Sequence, residues 1–371
     1  MKTYYLKANT HTNVHSTTQA PNGQVPPYEE IKLGIDWHAD HLRVSRMIDG
    51  TPPQPAQRFT HAGFLEFAAK QLTLARKVYS CYEAGPGGYV LHRQLTQLGL
   101  TDFVVHPVNL DAQHKRVATD KTDCRQLVLN LDRFLHGSDK ALCPVYVPTA
   151  EEEQRRARVR QREQLRKERH RLAMIGRSLL LSQGWRENTR WWQARWESLA
   201  DQLPGWLREQ LEIWRQLIQA VDQQLRPLTR AIEATAPALR PRGLGPLTFA
   251  ALLAELCRWD RFKKARALGG YTGLCGGVSS SGPHHLDLSI TKAGNGRVRQ
   301  LLIELAWRMV LYQPDYVPVK KYRDILLGPR THARRKKQLI VGLARQLATD
   351  LWRWQTGRAT AQQLGWLMTP A

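Results

Sequence analysis

The segment EEEQRRARVRQREQLRKERHRL, which begins at residue 151, is the sequence feature that most limits how this chain can fold. Charged side chains dominate it, and its apolar residues recur at intervals of three and four, the spacing of a long helix. A tryptophan-rich stretch follows, in which Pro204 interrupts a second helical arm. We therefore predict a helical hairpin or coiled coil over residues 149–235 that serves in oligomerisation, with one domain before it and another after it.

The region before this hairpin, residues 31–148, has the alternating pattern of an α/β domain. Two strand-like runs, IKLGID and LRVSRMI, flank the turn WHADH and predict a β-hairpin. Helical and strand-like stretches then alternate, in the order GFLEFAAKQLTLAR, KVYSCYEA, YVLHRQLTQLG, DFVVH and TDCRQLVLNLDRFLHG. Residues 1–30 are polar, contain three prolines and are predicted to form a flexible tail.

The region after the hairpin, residues 236–371, is predicted to be a helical domain. It opens with PRGLGPLTFAALLAEL, which suits either half of a helix-hairpin-helix element or an ordinary turn between two helices. The fold class expected for the whole chain is therefore α/β plus all-α. Six tryptophans between residues 185 and 214 could stack on bases or pack against helices, and we favour packing.

Charge is the strongest global signal. Lysine and arginine number 55 against 32 aspartates and glutamates, which gives a formal net charge of +23 and an isoelectric point near 10.2. Such an excess is typical of proteins that neutralise phosphates, so we expect nucleic acid to be the partner. No run approaches the roughly 18 to 20 apolar residues of a membrane span, and nothing in the N-terminal segment suggests secretion. We expect a cytoplasmic protein associated with the nucleoid.

Four carboxylates suggest a metal site. Asp36 and Glu83 each lie at the end of a predicted strand. Asp120 and Asp123 lie three residues apart at the start of a predicted helix, which places them on one face. Acids arranged in this way can converge at one edge of a sheet, where two divalent cations would stabilise the entering and leaving oxygens of a phosphodiester. Each acid taken singly could instead cap a helix or end a strand.

A second cluster lies in the C-terminal region, where Ser279, Ser280 and Ser281 stand in a glycine-rich stretch. A serine nucleophile needs activation, and a phosphodiester needs basic neighbours that neutralise its charge. The candidates for nucleic-acid binding are Lys292, Asn295, Arg297, Arg299, Arg334, Arg335, Lys336 and Lys337. By composition alone, the serine and glycine stretch is equally an ordinary flexible loop.

Four motifs, in this order, connect the chain with a known family: GIDWH at 34–38, CYEAGPGG at 81–88, TDKTD at 119–123, and GLCGGVSSSG with ITKAGN between 273 and 295. They closely resemble the DEDD transposases of the insertion-sequence one-ten family, including its eleven-eleven branch. The likeness runs from residue 31 to about residue 350. It implies an RNase H-like N-terminal domain of the resolvase type, a coiled-coil insert and a C-terminal transposase domain.

The same resemblance implies an activity, RNA-guided site-specific DNA recombination. The four acids would bind Mg²⁺, or Mn²⁺ in its place. The family's nucleophilic serine precedes the glycine of its SG pair, which selects Ser281 over Ser280 as the residue that forms a covalent phosphoserine link to DNA. The implied partners are donor and target DNA and a noncoding guide (bridge) RNA encoded by the element. In the implied dimer of dimers, the acids and the serine come from different subunits.

Three residues depart from the family pattern: Gly276 stands where proline is frequent, Cys124 where alanine is usual and Pro283 where glycine is common. None of these changes removes a functional group. Two other functions fit the same residues. In a Holliday-junction type of nuclease, the acids would direct water onto DNA and the serine would be incidental. A nucleic-acid-binding protein with an inactive fold is the third interpretation, and the four intact acids argue against it.

Overall fold

The strand β1 (Tyr28–Trp37) lies at the centre of a five-stranded sheet and is covered on both faces, because its residues from Ile31 to Ile35 are all buried. The other strands of this sheet are β2 (Leu42–Ile48), β3 (Gln57–Phe59), β4 (Ala75–Glu83) and β5 (Thr101–Val105). Their order is β3-β2-β1-β4-β5; β2 pairs antiparallel with β1 and β3, whereas β4 pairs parallel with β1 and β5. The predicted hairpin is present as β1 and β2, and the short β3 has no counterpart in the sequence prediction.

The computed structural model describes residues 26–106, 120–188, 190–281 and 284–369. The chain divides into two compact units, one ending at Val147 and the other beginning at Pro148. Because β1 begins at Tyr28, residues 28–30 belong to the sheet and not to the predicted tail. The part of that tail up to residue 25 lies outside the described residues.

Three helices cover the sheet of the first unit: α1 (His61–Leu74), α2 (Val90–Leu98) and α3 (Asp120–Leu135). On one face, Leu33 of β1 lies in an apolar core with Phe64 of α1 and Leu95 of α2. On the opposite face, Cys81 of β4 shares a second core with Leu131 of α3. The first unit is therefore a mixed α/β layer structure with helices on both sides of the sheet.

Helix α3 lies very close to β1 because Gly34 carries no side chain. A Cβ at Gly34 would lie 2.2 Å from the carbonyl oxygen of Cys124 and 2.5 Å from the amide nitrogen of Val128, so only glycine fits. Lys32, on the same face of β1, is completely buried, and its Nζ lies 2.7 Å from Oδ1 of Asp132 on α3. A close backbone contact and a buried ion pair thus hold α3 along β1.

The second unit begins with a helical hairpin, made of α4 (Ala150–Ser182), α5 (Trp196–Ala200) and α6 (Gly205–Glu233). Thr149 and Glu152 form a reciprocal capping box that starts α4. The helices α4 and α6 lie side by side, as the 2.9 Å ion pair between Arg169 and Asp222 shows. Pro204 occupies the N-cap position of α6 and separates this helix from the short α5. The role of the hairpin in oligomerisation stays a prediction.

The tryptophan-rich stretch contributes mainly to the core of this hairpin. Trp191, Trp192 and Trp196 are buried among apolar residues of α4 and α6. The indole N–H of Trp191 donates a hydrogen bond to the Ala173 carbonyl at 2.9 Å, which satisfies its polar atom inside the core. Packing therefore accounts for these three tryptophans, whereas Trp206 is 48% exposed.

The remainder of the second unit surrounds one apolar core. In the described part of the chain its elements are α7 (Pro246–Leu256), α8 (Ala265–Thr272), β6 (Gly276–Ser281), β7 (His284–Ile290), α9 (Gly296–Tyr312), α10 (Val317–Leu327) and α11 (Ala333–Gln355). Phe249 of α7, Ala306 of α9 and Leu343 of α11 meet in this core. Among the described residues, no helix is long and apolar enough to cross a membrane.

The expectation of an all-helical C-terminal domain is wrong at the serine stretch. Residues that the sequence pattern assigns to a loop form β6, which pairs antiparallel with β7. Glycine and serine favour loops when only their neighbours in sequence are considered. Here the partner strand β7 supplies hydrogen bonds that local propensity does not include, so the backbone is extended.

The close contact between α3 and β1 predicts that Gly34→Ala destabilises the first unit, because a methyl group must displace backbone atoms of α3. We expect a loss of about 1–3 kcal/mol in the free energy of unfolding, seen as a lower melting temperature of the full chain. Gly85→Ala is the matched control, since a Cβ there would find its nearest neighbour, the Glu83 carbonyl oxygen, at 3.8 Å. Equal melting temperatures for the two variants would contradict this account of the packing.

Candidate active site

Two of the predicted acids lie next to each other at the carboxyl end of the sheet. Strands β1 and β4 run parallel, with Ile35 paired to Tyr82, and Asp36 and Glu83 are the following residues. Ile35 and Tyr82 face the core under α1 and α2. Because side chains alternate along a strand, Asp36 and Glu83 lie on the opposite face, the one that α3 covers.

The first turn of α3 brings a third acid, Asp123, to this edge. Gly34 lies on the same face of β1 as Asp36, and its contact with Cys124 places the start of α3 over the end of the strand. Asp120 is the first residue of α3, but its side chain lies outside the described residues. The structure therefore gathers one acid from each of β1, β4 and α3 at one edge of the sheet.

The pKa of the Glu83 carboxyl reflects both its burial and its acidic neighbours. Burial raises its pKa above the ordinary value, and the negative charges of Asp123 and Asp36 raise it further, while His106 lowers it. Cys124 lies in the same environment: burial and the negative charge of Asp36 raise the pKa of its thiol to about 11. Without a cation, the three carboxylates repel one another.

Two histidines beside these acids were not predicted from the sequence. His38 Nε2 lies 2.9 Å from Oδ2 of Asp36, and its ring stacks on His41 with a centroid distance of 4.8 Å. His38 belongs to the GIDWH motif, so its position two residues after the acid could have indicated it. His106 follows β5 and comes near Glu83 through the pairing of β4 with β5, which no local pattern reveals.

A second group of acids, further along α3, is neutralised from within the protein. Ligand atoms of Glu30, Asp132 and His136 lie within 4.8 Å of one another, a spacing that would suit a cation. The ammonium group of Lys32 already lies there, hydrogen-bonded to Glu30 and, at 2.7 Å, to Asp132. Although burial disfavours the charged form, these two carboxylates hold the pKa of Lys32 above its usual value. This group therefore fixes α3 in place.

The predicted nucleophile, Ser281, is the last residue of β6. Its backbone pairs with His284 at the start of β7, and Ser280 pairs with His285. Residues 282–283 and the side chains of these serines lie outside the described residues. The backbone thus places Ser281 at the last position of β6, paired with the first residue of β7.

Two glycines in the left-handed region fix the opposite end of this hairpin. Gly273 has a φ of +64° and Gly294 a φ of +126°. A Cβ at Gly273 would lie 2.5 Å from the Ala293 carbonyl oxygen, and one at Gly294 would lie 2.4 Å from the Tyr271 carbonyl oxygen. The segments before β6 and after β7 are therefore in backbone contact, which explains two glycines of the family motifs.

Asn295 connects this hairpin base to the helices around it. Its Oδ1 accepts hydrogen bonds from the amides of Arg297 and Val298 and so caps α9, while Nδ2 donates to Glu255 of α7 at 2.9 Å. Glu255 is 1% exposed and accepts two further bonds from Arg160 of α4, at 2.8 and 3.0 Å. Although burial opposes ionisation, Arg160 and Asn295 lower the pKa of Glu255. One buried carboxylate thus joins α4, α7 and the hairpin base.

The predicted nucleic-acid ligands fall into two groups. In the first, Arg299 donates to the Thr272 and Lys292 carbonyls, and Arg297 lies 2.6 Å from Glu163. Together with Asn295, these residues make internal contacts that hold the hairpin base. The second group lies in the first two turns of α11 and forms no salt bridge within the described part of the chain: Arg334, Arg335, Lys336 and Lys337. Its charge is available to an external partner.

Comparison with known proteins associates the chain with transposases. The family model described as "Transposase IS116/IS110/IS902 family" matches residues 239–318. The protein y4rJ of Sinorhizobium fredii, whose name assigns it provisionally to the transposases, is 32% identical over 301 residues, 73% of this chain and 75% of y4rJ. A second protein of the same organism, y4qE, whose name makes the same provisional assignment, is 31% identical over 320 residues, 77% of each chain. The transposase of insertion sequence element IS1533 from Leptospira borgpetersenii is 26% identical over 141 residues, 37% of this chain and 39% of that protein.

The raised pKa of Glu83 predicts how the metal-free protein responds to pH. A carboxyl whose pKa is higher in the folded state stabilises the fold below its unfolded pKa, and this stabilisation is lost as the pH rises through the folded value. Glu83→Gln should therefore raise the melting temperature by roughly 2 °C at pH 7.5 and leave it unchanged or lower at pH 4. Added Mg²⁺ or Mn²⁺ should stabilise the wild-type chain more than the variant. A variant that melts below wild type at pH 7.5 without metal would contradict this electrostatic account.

The contact between Asn295 and Glu255 predicts an unusual result for a helix cap. Aspartate is normally as good an N-cap as asparagine. Asn295→Asp should nevertheless destabilise the chain at least as much as Asn295→Ala, about 1–2 kcal/mol, because it places a second carboxylate beside buried Glu255. Thermal unfolding of both full-length variants measures this. An Asn295→Asp variant as stable as wild type would show that the cap alone matters.

Proposed function

The chain belongs to the IS116/IS110/IS902 family of transposases, and we propose that it is an RNA-guided site-specific DNA recombinase with a covalent serine intermediate. The observation that carries the proposal is the convergence of Asp36, Glu83 and Asp123 at one edge of the sheet, where burial and then the two neighbouring charges raise the pKa of Glu83. Acids gathered in this way suit phosphoryl-transfer chemistry. The family relationship supports DNA as the molecule that is cut and rejoined.

The first unit is proposed to have an RNase H-like fold of the resolvase type. The mixed sheet with strand order β3-β2-β1-β4-β5 and helices on both faces supports this assignment. So does the position of the acids, which lie at the carboxyl ends of two adjacent parallel strands and on the helix that covers them. The fold would then supply a rigid edge on which the acids are held.

The donor atoms at this edge suit Mg²⁺ or Mn²⁺, because carboxylate oxygens are the ligands that hard divalent cations prefer. Asp36, Glu83 and Asp123 would hold the ions, with Asp120 from the same helical turn as Asp123. Bound in this way, two such ions would stabilise the entering and leaving oxygens of a phosphodiester. His38, hydrogen-bonded to Asp36, fixes the orientation of that carboxylate.

Ser281 is proposed as the nucleophile. Its Oγ would attack a DNA phosphorus atom, forming an O–P bond to the protein and breaking the bond to a deoxyribose oxygen, which takes up the proton that the serine loses. Attack by the hydroxyl of a second strand reverses these steps and rejoins the DNA without a net change in bonds. The position of Ser281 supports this role, because it is the last residue of β6, and Gly273 and Gly294 hold the segments before β6 and after β7 in contact.

The partners are proposed to be donor and target DNA together with the noncoding bridge RNA of the element. The net charge of +23 and the basic group at the start of α11 support a protein that contacts the backbones of several nucleic-acid strands. A dimer of dimers, in which acids and serine come from different subunits, is the assembly that the sequence resemblance implies.

The proposal is tested with the pair Ser281→Ala and Ser280→Ala. Each purified chain is incubated with Mg²⁺, the RNA transcribed from the DNA flanking the gene, and labelled donor and target DNA. We expect Ser281→Ala to lose covalent protein–DNA adducts by at least about 1,000-fold, while Ser280→Ala keeps them. Asp36→Asn should lose the adducts as well, while its thermal unfolding shows a folded chain.

Two outcomes of this experiment would change the assignment. Adducts that persist in Ser281→Ala and vanish in Ser280→Ala would move the nucleophile by one residue. Nicked DNA without attached protein, formed equally by both serine variants and abolished by Asp36→Asn, would support the Holliday-junction type of nuclease. In that enzyme the acids activate water and the serine takes no part.

A further inference from the structure

We propose that the face shared by α4 and α6 is a second nucleic-acid surface, which binds the phosphate backbone of duplex DNA. This surface, here called the hairpin arginine face, consists of Arg155, Arg158, Arg162 and Arg166 of α4 with Arg226 and Arg230 of α6. None of these residues belongs to the acid site, the serine hairpin or the basic group of α11. The choice of DNA as the ligand rests on the proposed function, whereas the surface itself does not.

Spacing along α4 places its four arginines on one side. The intervals are three, four and four residues, and residues three or four apart are neighbours on the surface of a helix. Eleven residues of helix extend about 16 Å, a length over which one DNA strand presents roughly five phosphates. The row is therefore long enough to follow a backbone over several nucleotides.

Two contacts show that the arginines of α6 lie beside this row. Arg162 donates a hydrogen bond to Thr229 at 2.9 Å, and Arg169 pairs with Asp222 at 2.9 Å. The two helices are thus antiparallel in this region, and Arg166 lies between the two contacts on α4. Arg226 lies between them on α6, so the two arginines are at a similar height along the two helices.

The six arginines bring together a high positive charge on this face. Among the described residues, the six arginines of the face take part in no salt bridge, whereas Arg160, Lys167, Arg169 and Arg171 of the same helix all do. Burial lowers the pKa of Arg162, and the charges of Arg166 and Arg169 lower it further, although Glu233 opposes them. Arginines that repel one another and form no salt bridge are expected where an anion from outside completes the arrangement.

A polar cavity extends the face along α6. It has a volume of about 680 Å³ and is lined by Arg226, Arg215, Gln219 and Gln223, with Trp192 beside them. Its ionisable lining consists of Asp222, which pairs with Arg169, and of two arginines: Arg215, which pairs with Glu212 at 2.9 Å, and Arg226, which forms no salt bridge among the described residues. A sugar–phosphate backbone that lies along the arginines of α4 would find concave, hydrogen-bonding space next to Arg226.

The surface is tested with a pair of double variants that change the net charge equally. Arg166→Gln with Arg226→Gln removes two positive charges from the face. Gln164→Glu with Gln224→Glu adds two negative charges at exposed positions of α4 and α6, neither of them three or four residues from an arginine of the face. Fluorescence anisotropy with a labelled 30-base-pair DNA duplex, measured over a range of NaCl concentrations, gives affinity and salt dependence.

We expect the arginine variant to bind roughly 10- to 30-fold more weakly at 0.15 M salt, with a slope of log K against log salt that is smaller by about two. The glutamine variant should stay close to wild type, and Arg166→Lys with Arg226→Lys should restore most of the binding, because a phosphate accepts either cation. Circular dichroism melts show that each variant is folded. Ser281→Ala should bind like wild type, so loss of the proposed nucleophile is separable from loss of this surface.

Four results would overturn the proposal. Equal weakening by both double variants would mean that only net charge matters, and an unchanged slope in the arginine variant would mean that these residues contact no phosphate. Weakening that appears with an RNA duplex and not with DNA would make the face an RNA surface. Failure of the wild-type chain to bind the duplex would exclude DNA as the ligand.

Discussion

The position of α3 on Gly34 is the contact on which the candidate metal site depends. Two of the acids lie on paired strands of the sheet. Asp123 lies near them because the backbone of α3 contacts β1 at Gly34, where there is no room for a side chain. The buried Lys32 prevents the helix from sliding, since its ammonium group must stay with Asp132. A glycine and a lysine with no part in the chemistry thus determine where the acids meet.

Much of the first unit could be predicted because its signals are local. Alternation of strand and helix, the turn at WHADH and the placement of Asp36 and Glu83 at strand ends all follow from patterns within a few residues. The approach of His106 to Glu83 could not be predicted, since it depends on the pairing of β4 with β5. The reason for Gly34 was equally hidden, because the residue that requires it, Cys124, lies 90 positions away.

In the second unit, the sequence pattern does not reveal the internal contacts of the predicted ligands. It predicts that Asn295, Arg297 and Arg299 bind nucleic acid, because basic neighbours of a nucleophile can neutralise a phosphodiester, and this stays a prediction. In the structure they cap α9, pair with α4 and hold loop carbonyls together. Their partners, Glu255 and Glu163, are distant in sequence and carry no motif. Positive charge near a candidate nucleophile is therefore weak grounds for ligand binding until its internal partners are known.

Cys124 illustrates how this arrangement affects the choice of metal. The thiol is completely buried next to Asp123, and burial together with the charge of Asp36 raises its pKa to about 11. Metals bind the thiolate, so at neutral pH the protonated sulfur does not compete with the neighbouring oxygens. An ionised cysteine here would draw in softer, thiophilic ions such as Zn²⁺ and would be open to oxidation. Burial and the neighbouring carboxylates thereby keep this thiol protonated, so the proposed metal site would favour hard cations and the sulfur would resist oxidation.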